Sequence, residues 1–301
     1  MVAVALSRNR VVQCTAALFR MARPQMIAAG LLVYALGVIM GARSAGAVHW
    51  PAMGAGLIAL LAANLCAHFA DEFADRDVDA LSRRTWFSGG SGVLPAGLVP
   101  PELALRAAWV TAGFALFTSI IFAAVGLLSI TALGVILLGL VGGWCYSMPP
   151  WALERRGLGE VTNALLGAML IPLLGFATQH GALTLEAALG LLPVFVITMV
   201  NLLGVHWADR RADAAVGKRT LVVMLGARTL HLHRLLTVLT YALTWAPAGV
   251  VLPLGVVVAI TLTLPISLWA TLTFTRREQD GASSAAMVAL MIAACAGWGL
   301  A

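Results

Sequence analysis

Charge is what this chain has least of. Asp, Glu, Lys and Arg together make up 11% of its residues, under half the roughly 25% of a soluble domain. A water-facing surface of ordinary size cannot be built from so few. Also missing is the alternation of polar and apolar residues that marks the strands of a membrane barrel. The four cysteines, Cys14, Cys66, Cys145 and Cys295, are dispersed without a C-x-x-C pair, which argues against a disulfide framework and a thiolate metal site. No segment matches a P-loop. The first 23 residues lack a signal-peptide core: Val11–Phe19 is short and runs into Arg20 and Arg23 rather than a small-residue cleavage site. A membrane-surface helix is the reading preferred there.

Apolar length takes the place of charge. The mean hydropathy is +0.94, and stretches near the ~20 residues that cross a bilayer fall at about 24–42, 51–70, 103–126, 128–147, 161–179, 185–205, 231–250, 252–273 and 283–300. The expected fold is all-α: a polytopic membrane protein of nine transmembrane helices. Residues 1–23 form a cytoplasmic N-terminal segment and 24–301 a single membrane domain. The longest inter-span segments, roughly 70–102 and 206–230, follow the second and sixth spans.

Of the 19 Lys and Arg residues, all but Arg43 fall on one side of this arrangement. Positive residues stay on the cytoplasmic side, so the N-terminus and the longer loops are expected in the cytoplasm and the C-terminus outside. The net charge of +6 thus marks topology and does not imply nucleic acid.

Against this background one stretch stands out. "HFADEFADRDVD" at 68–79 holds five carboxylates, and "HWADRRADAAVG" at 206–217 repeats its His, Ala, Asp, Ala, Asp and Val without a gap. Each copy closes an apolar helix, and four spans separate them, so the repeat is parallel. It suggests a duplicated four-helix unit with a ninth helix added. Positions i and i+4 of a helix lie about 40° apart, which puts Asp71, Asp75 and Asp79 on one face and Asp209 and Asp213 on another. Like charges so placed repel unless a cation offsets them. Hard carboxylate oxygens suit Mg²⁺, which completes its shell with water and phosphate oxygens; two clusters suit two ions around a diphosphate. The plainer alternative is a solvated, charged helix end.

Basic residues follow each copy: Arg83 and Arg84 before the Gly/Ser loop 88–92, and Lys218 and Arg219 in "GKRTL". Carboxylate-held Mg²⁺ facing Arg and Lys is a common way to neutralise a diphosphate. The Gly/Ser loop is either an amide cradle for phosphate or a flexible connector. In the third cytoplasmic loop, "YSMPPWALERRGLGE", Arg155 and Arg156 either join the anion site or anchor topology. Asn64, Asn163 and Asn201 lie inside spans, where substrate contact and helix–helix hydrogen bonding are both open.

These motifs resemble those of the UbiA superfamily of intramembrane prenyltransferases, most of all its branch that prenylates 1,4-dihydroxy-2-naphthoate for menaquinone. The family's N-D-x-x-D-x-x-x-D is similar to "DEFADRDVD" at 71–79, with Asp71 in place of Asn and Glu72 in place of Asp. Its D-x-x-x-D with G-K-x-T-L is matched by Asp209, Asp213 and 217–221, and "RGLGE" at 156–160 resembles the naphthoate branch. Just before the second motif, where that branch often has Asn and Arg, stand Val205, His206 and Ala208, and Pro150 replaces the Lys of a Tyr-x-x-x-Lys element.

The resemblance implies Mg²⁺-dependent transfer from a polyprenyl diphosphate, held in a cavity open to lipid, to an aromatic acceptor. It implies that Asp71 and Asp75 hold one ion and Asp209 and Asp213 the other, with Asp79 and Glu72 assisting. Lys218, Arg84 and Arg156 would clamp the phosphates, and Phe69, Trp144, Tyr146 and Trp207 are offered as the aromatic wall for an allylic cation. His68 and His206, each one turn before its first Asp, either remove the acceptor's phenolic proton or orient a carboxylate. Another acceptor (4-hydroxybenzoate, homogentisate or a glycerol-phosphate type), a terpene cyclase of the same family and a cation-coupled transporter are the competing functions. Transporter sites tend to lie at the midplane between inverted repeats, unlike these.

Overall fold

The computed structural model describes residues 2–85, 89–276 and 281–301, the side chains of residues 2–9 excepted. The side chain of Arg8, Ser88 of the Gly/Ser loop, and Arg277 lie outside the described residues. Every regular element among the described residues is helical. Helix α1 (Val2–Met21) leads to a turn at Arg23, whose φ of 50° is left-handed. Pro24 then opens the next helix, at a position where a missing N–H costs nothing.

Among the described residues, nine helices follow that are long and apolar enough to cross a bilayer: α2 (Pro24–Ala45), α3 (Trp50–Asp79), α4 (Pro101–Ala124), α5 (Ile130–Ser147), α6 (Gly159–His180), α7 (Leu185–Ala215), α8 (Leu221–Trp245), α9 (Leu254–Thr273) and α10 (Gly281–Leu300). The protein is an integral membrane protein, and α4 presents Trp109, Val110, Phe114, Phe117 and Ile120 outward, as lipid contact requires. The seventh expected span, 231–250, is displaced. Thr220 caps α8, whose first residue Leu221 lies ten residues upstream of His231, by accepting from the Val223 N–H at 3.3 Å, and α8 ends at Trp245, just before Pro247 and Gly249.

Helices α3 and α7 are the longest, at 30 and 31 residues. Their apolar runs stop near 70 and 205, but both helices continue through the acidic repeat, which therefore lies on helix as its spacing predicts. Helix α6 carries a π-turn over Leu166–Leu170 just ahead of Pro172. The widened turn relieves the clash of a proline ring with the preceding turn.

Close packing of α2 on α6 joins the two halves. A Cβ on Gly37 would lie 1.8 Å from the Pro172 carbonyl oxygen, one on Gly41 2.6 Å from that of Phe176, and one on Gly175 2.4 Å from that of Tyr34. Only glycine admits so near an approach, the usual device between membrane helices. The contacts advance together along both helices, so α2 and α6, the first spans of the two halves, run parallel. Helix α10 closes the bundle against α2 and α7; Asn201 of α7 accepts from the Ser284 hydroxyl at 2.7 Å.

Replacing Gly37 by Ala is predicted to destabilise the protein by about 1–3 kcal/mol, the cost of overpacking. Gly113, whose added Cβ would meet nothing within 4 Å, serves as the control. Thermal unfolding in detergent should show a lowered midpoint for Gly37→Ala alone.

Candidate active site

Where α3 and α7 leave the apolar layer, their acidic ends face one cavity of about 600 Å³. Asp71, Asp75 and Asp79 line it from α3, Asp209 and Asp213 from α7, and Glu154 from the loop after α5. Asp75, Asp213 and Glu154 are buried. The cavity continues between the helices along Leu60, Val135, Ile136, Leu170, Leu202 and Met291, an apolar extension. Among the described residues, its polar end thus holds six carboxylates against two basic side chains, Arg23 and Lys218.

Lys218 is the tightest link. Its Nζ lies 2.5 Å from Asp75 Oδ2 and 2.7 Å from Glu154 Oε2, while the Arg155 guanidinium reaches Asp75 Oδ1 at 3.2 Å. Burial works against the Lys218 charge, but Glu154 and Asp75 overcome it and hold the ammonium's pKa well above its ordinary value. Burial and the neighbouring Asp75 push the Glu154 carboxyl well above the usual carboxylate range. Arg23, half-buried in the turn before α2, sits 3.1 Å from Asp71 Oδ2 and 2.7 Å from Glu72 Oε1; these charges outweigh the effect of its desolvation and raise its pKa.

A divalent cation fits these residues. Asp71, Asp75 and Glu154 each offer an oxygen, all within 4.8 Å of one another. Around them Asp79 Oδ2, Glu154 Oε1 and Asp213 Oδ2 are buried with no hydrogen-bond partner among the described residues. Unpaired buried carboxylate oxygens are costly, and an all-oxygen, acid-rich donor set is the one Mg²⁺ takes.

Several expected residues face elsewhere. Glu72 does not line the cavity: it turns back to accept from Ser91 N (2.7 Å), Ser91 Oγ (2.5 Å) and Arg23, so both its oxygens are committed to pinning the 89–93 loop. Phe69 packs in the core against α1 and α4, Trp144 stacks on Trp109 at 4.4 Å, and Trp207 meets Phe274 at 5.6 Å. None of the three lines the cavity; of the expected aromatic wall, only Tyr146 does. Arg83, Arg84, Arg156 and Arg219 are exposed and outside the cavity wall. Arg156 donates to the Pro150 carbonyl at 2.5 Å, and Arg155 touches Asp75 without entering the wall. His68, His206, Asn64, Asn163 and Asn201 line the cavity.

Three residues escaped the sequence reading as site residues: Arg23, Glu154 and Glu160. Arg23 and Glu154 lie among topology-setting arginines, where one more charge carries no signal. Glu160 closes "RGLGE" and is buried beside His206, with His206 Nδ1 2.8 Å from its Oε1.

Residues 30–294 match the sequence profile of the UbiA prenyltransferase family. Among solved structures, the fold is similar to that of a UbiA homologue from Archaeoglobus fulgidus bound to DMAPP and Mg²⁺ (TM-score 0.68, 18% identity, covering 94% of this chain and 99% of that one). It is also similar to a UbiA homologue from Aeropyrum pernix K1 (0.69, 15%, 88% and 96%). A third is a digeranylgeranylglyceryl phosphate synthase (0.68, 13%, 96% and 99%). No curated protein matches.

Lys218→Met should cost about 3–5 kcal/mol of stability, as expected when one partner of a buried ion pair is removed. Because the folded-state pKa of Glu154 is raised, the deficit should grow as pH rises through that value and shrink as pH falls below it. Thermal midpoints across a pH series, with Lys218→Met/Glu154→Gln as the partly restored double variant, check both signs.

Proposed function

The chain belongs to the UbiA prenyltransferase family, and on that premise we propose that it transfers a polyprenyl group from an allylic polyprenyl diphosphate to 1,4-dihydroxy-2-naphthoate. The observation that carries this is the convergence of two acidic helix ends, from the two halves of the chain, on one cavity with a long apolar extension. A diphosphate suits the charged end and a prenyl chain the apolar one. The choice of naphthoate follows the "RGLGE" stretch at 156–160.

Asp71, Asp75 and Glu154 would hold one Mg²⁺, and Asp209 and Asp213 a second, with Asp79 beside them. When bound, Mg²⁺ supplies Lewis-acid neutralisation of the departing diphosphate. Lys218 and Arg23, the two basic side chains of the wall, contact the phosphate oxygens. The apolar wall keeps water from the allylic carbon as its C–O bond breaks. Tyr146 offers that carbon a π face, with Asn64, Asn163 and Asn201 left to orient the acceptor. The charge distribution supports a cytoplasmic placement of this end of the bundle.

A glycerol-phosphate-type acceptor is the second reading, favoured by the fold similarity to digeranylgeranylglyceryl phosphate synthase. Purified protein in lipid, given labelled polyprenyl diphosphate and Mg²⁺, should form a prenylated naphthol only when 1,4-dihydroxy-2-naphthoate is present. Product with a glycerol phosphate instead would favour the second reading, and no diphosphate release with any acceptor would favour a transporter. Asp75→Ala and Asp209→Ala should each cut product formation by roughly 100-fold or more, the scale of losing one electrostatic stabiliser, with membrane insertion intact.

A further inference from the structure

The two copies of the acidic repeat each carry a histidine on the cavity wall, but the structure equips only one of them. His68 makes no hydrogen bond among the described residues. His206 is hydrogen-bonded through Nδ1 to Glu160 Oε1 at 2.8 Å. Glu160 is fully buried at the start of α6. The same oxygen accepts from the backbone N–H of Leu221, also at 2.8 Å. An ionised Glu160 can only accept, through Oε1, from the Leu221 N–H and from His206, so the hydrogen of the second bond belongs to His206 Nδ1. In the neutral ring, Nε2 then carries the lone pair, and it makes no hydrogen bond among the described residues. The ring lines the cavity one turn from Asp209. Asp213 on the same helix and Lys218 beyond it are further charges that act on it.

We propose that Glu160 is a positioning residue that fixes His206 as the proton acceptor for a ring hydroxyl of the acceptor. This rests on the prenyl-transfer reading given above. In the step, the hydroxyl O–H bond breaks, its proton goes to Nε2, and the electron pair stays on oxygen and is delocalised into the ring. A ring carbon then bonds to the allylic carbon while the diphosphate leaves with the C–O electrons. The substituent on that ring carbon departs as CO₂, or as a proton taken up by the released diphosphate, its bonding electrons restore the aromatic ring, and the imidazolium can return its proton to the oxygen. Glu160 stabilises the imidazolium formed midway, the role of a carboxylate behind a catalytic histidine.

Glu160→Gln is the sharpest test. The glutamine carbonyl at the Oε1 position can still accept from both Leu221 and His206, so the variant removes the negative charge behind the imidazolium and leaves both contacts in place. Prenylated product, diphosphate release and pH profile would be measured for wild type, Glu160→Gln, Glu160→Asp and His206→Gln, using phenolic acceptors of graded acidity. The expected result is a fall of roughly 10²–10⁴-fold in transfer for Glu160→Gln and His206→Gln, partial recovery in Glu160→Asp, and recovery of rate with acceptors already ionised at the assay pH. The acidic limb of the wild-type profile should shift in Glu160→Gln. Loss that is equal for every acceptor, with an unshifted pH profile, would assign Glu160 to loop structure and overturn the proposal. So would full transfer in folded His206→Gln. A wild-type protein that releases no diphosphate would overturn the prenyl-transfer reading itself, which these acceptor-dependent outcomes leave standing.

Discussion

Lys218 lies between Asp75 and Glu154, and through that contact three separate parts of the chain meet. Asp75 ends a helix of the first half, Glu154 belongs to the loop between the halves, and Lys218 follows the last long helix of the second acidic copy. Carboxylates gathered this closely near a bilayer repel strongly where the dielectric is low. The ammonium, with Arg23 on Asp71 and Arg155 on Asp75, makes the gathering tolerable. Without these cations the two acidic helix ends would be driven apart, and the cavity with them.

The rest of the bundle sets where those ends arrive. Gly37, Gly41 and Gly175 let α2 and α6 run parallel with backbones in contact. Corresponding helices of the two halves therefore keep the same direction, and both acidic copies emerge on one face. The polar end of the cavity is then fixed by charge pairing and its apolar end by helix packing. Glu72 and Ser91 add a third constraint by tying the 89–93 loop down beside Asp79, where a Cβ on Gly90 would fall 1.8 Å from Asp79 Oδ2. Positive φ at Gly90 and this proximity both require glycine.

Much of this was legible in the sequence because membranes simplify the code. Apolar length gave nine spans, and the i, i+4 spacing placed Asp71, Asp75 and Asp79 on one helix face, which is the face that lines the cavity. The repeat at 206 pointed to a second cluster on the same side. What sequence could not resolve was direction around the helix for neighbouring residues. Glu72 is one residue from Asp71 and so points about 100° away, into the loop rather than the cavity. Phe69, Trp144 and Trp207 lie at the right depth but on packing faces. Glu154, in the loop, and Glu160, at the start of α6, belong to a stretch whose proline and arginine content hid two acids that tertiary contact brings to the site.

The central claim is that the two acidic copies make a single divalent-cation and diphosphate site. Mn²⁺ binding followed by electron paramagnetic resonance, on protein in lipid nanodiscs with a diphosphate present, tests it most directly. The account predicts diphosphate-dependent Mn²⁺ binding that is lost in Asp75→Asn and in Asp213→Asn alike, although the two residues lie in different halves of the chain. Mn²⁺ binding that persists unchanged when either residue is replaced would contradict it.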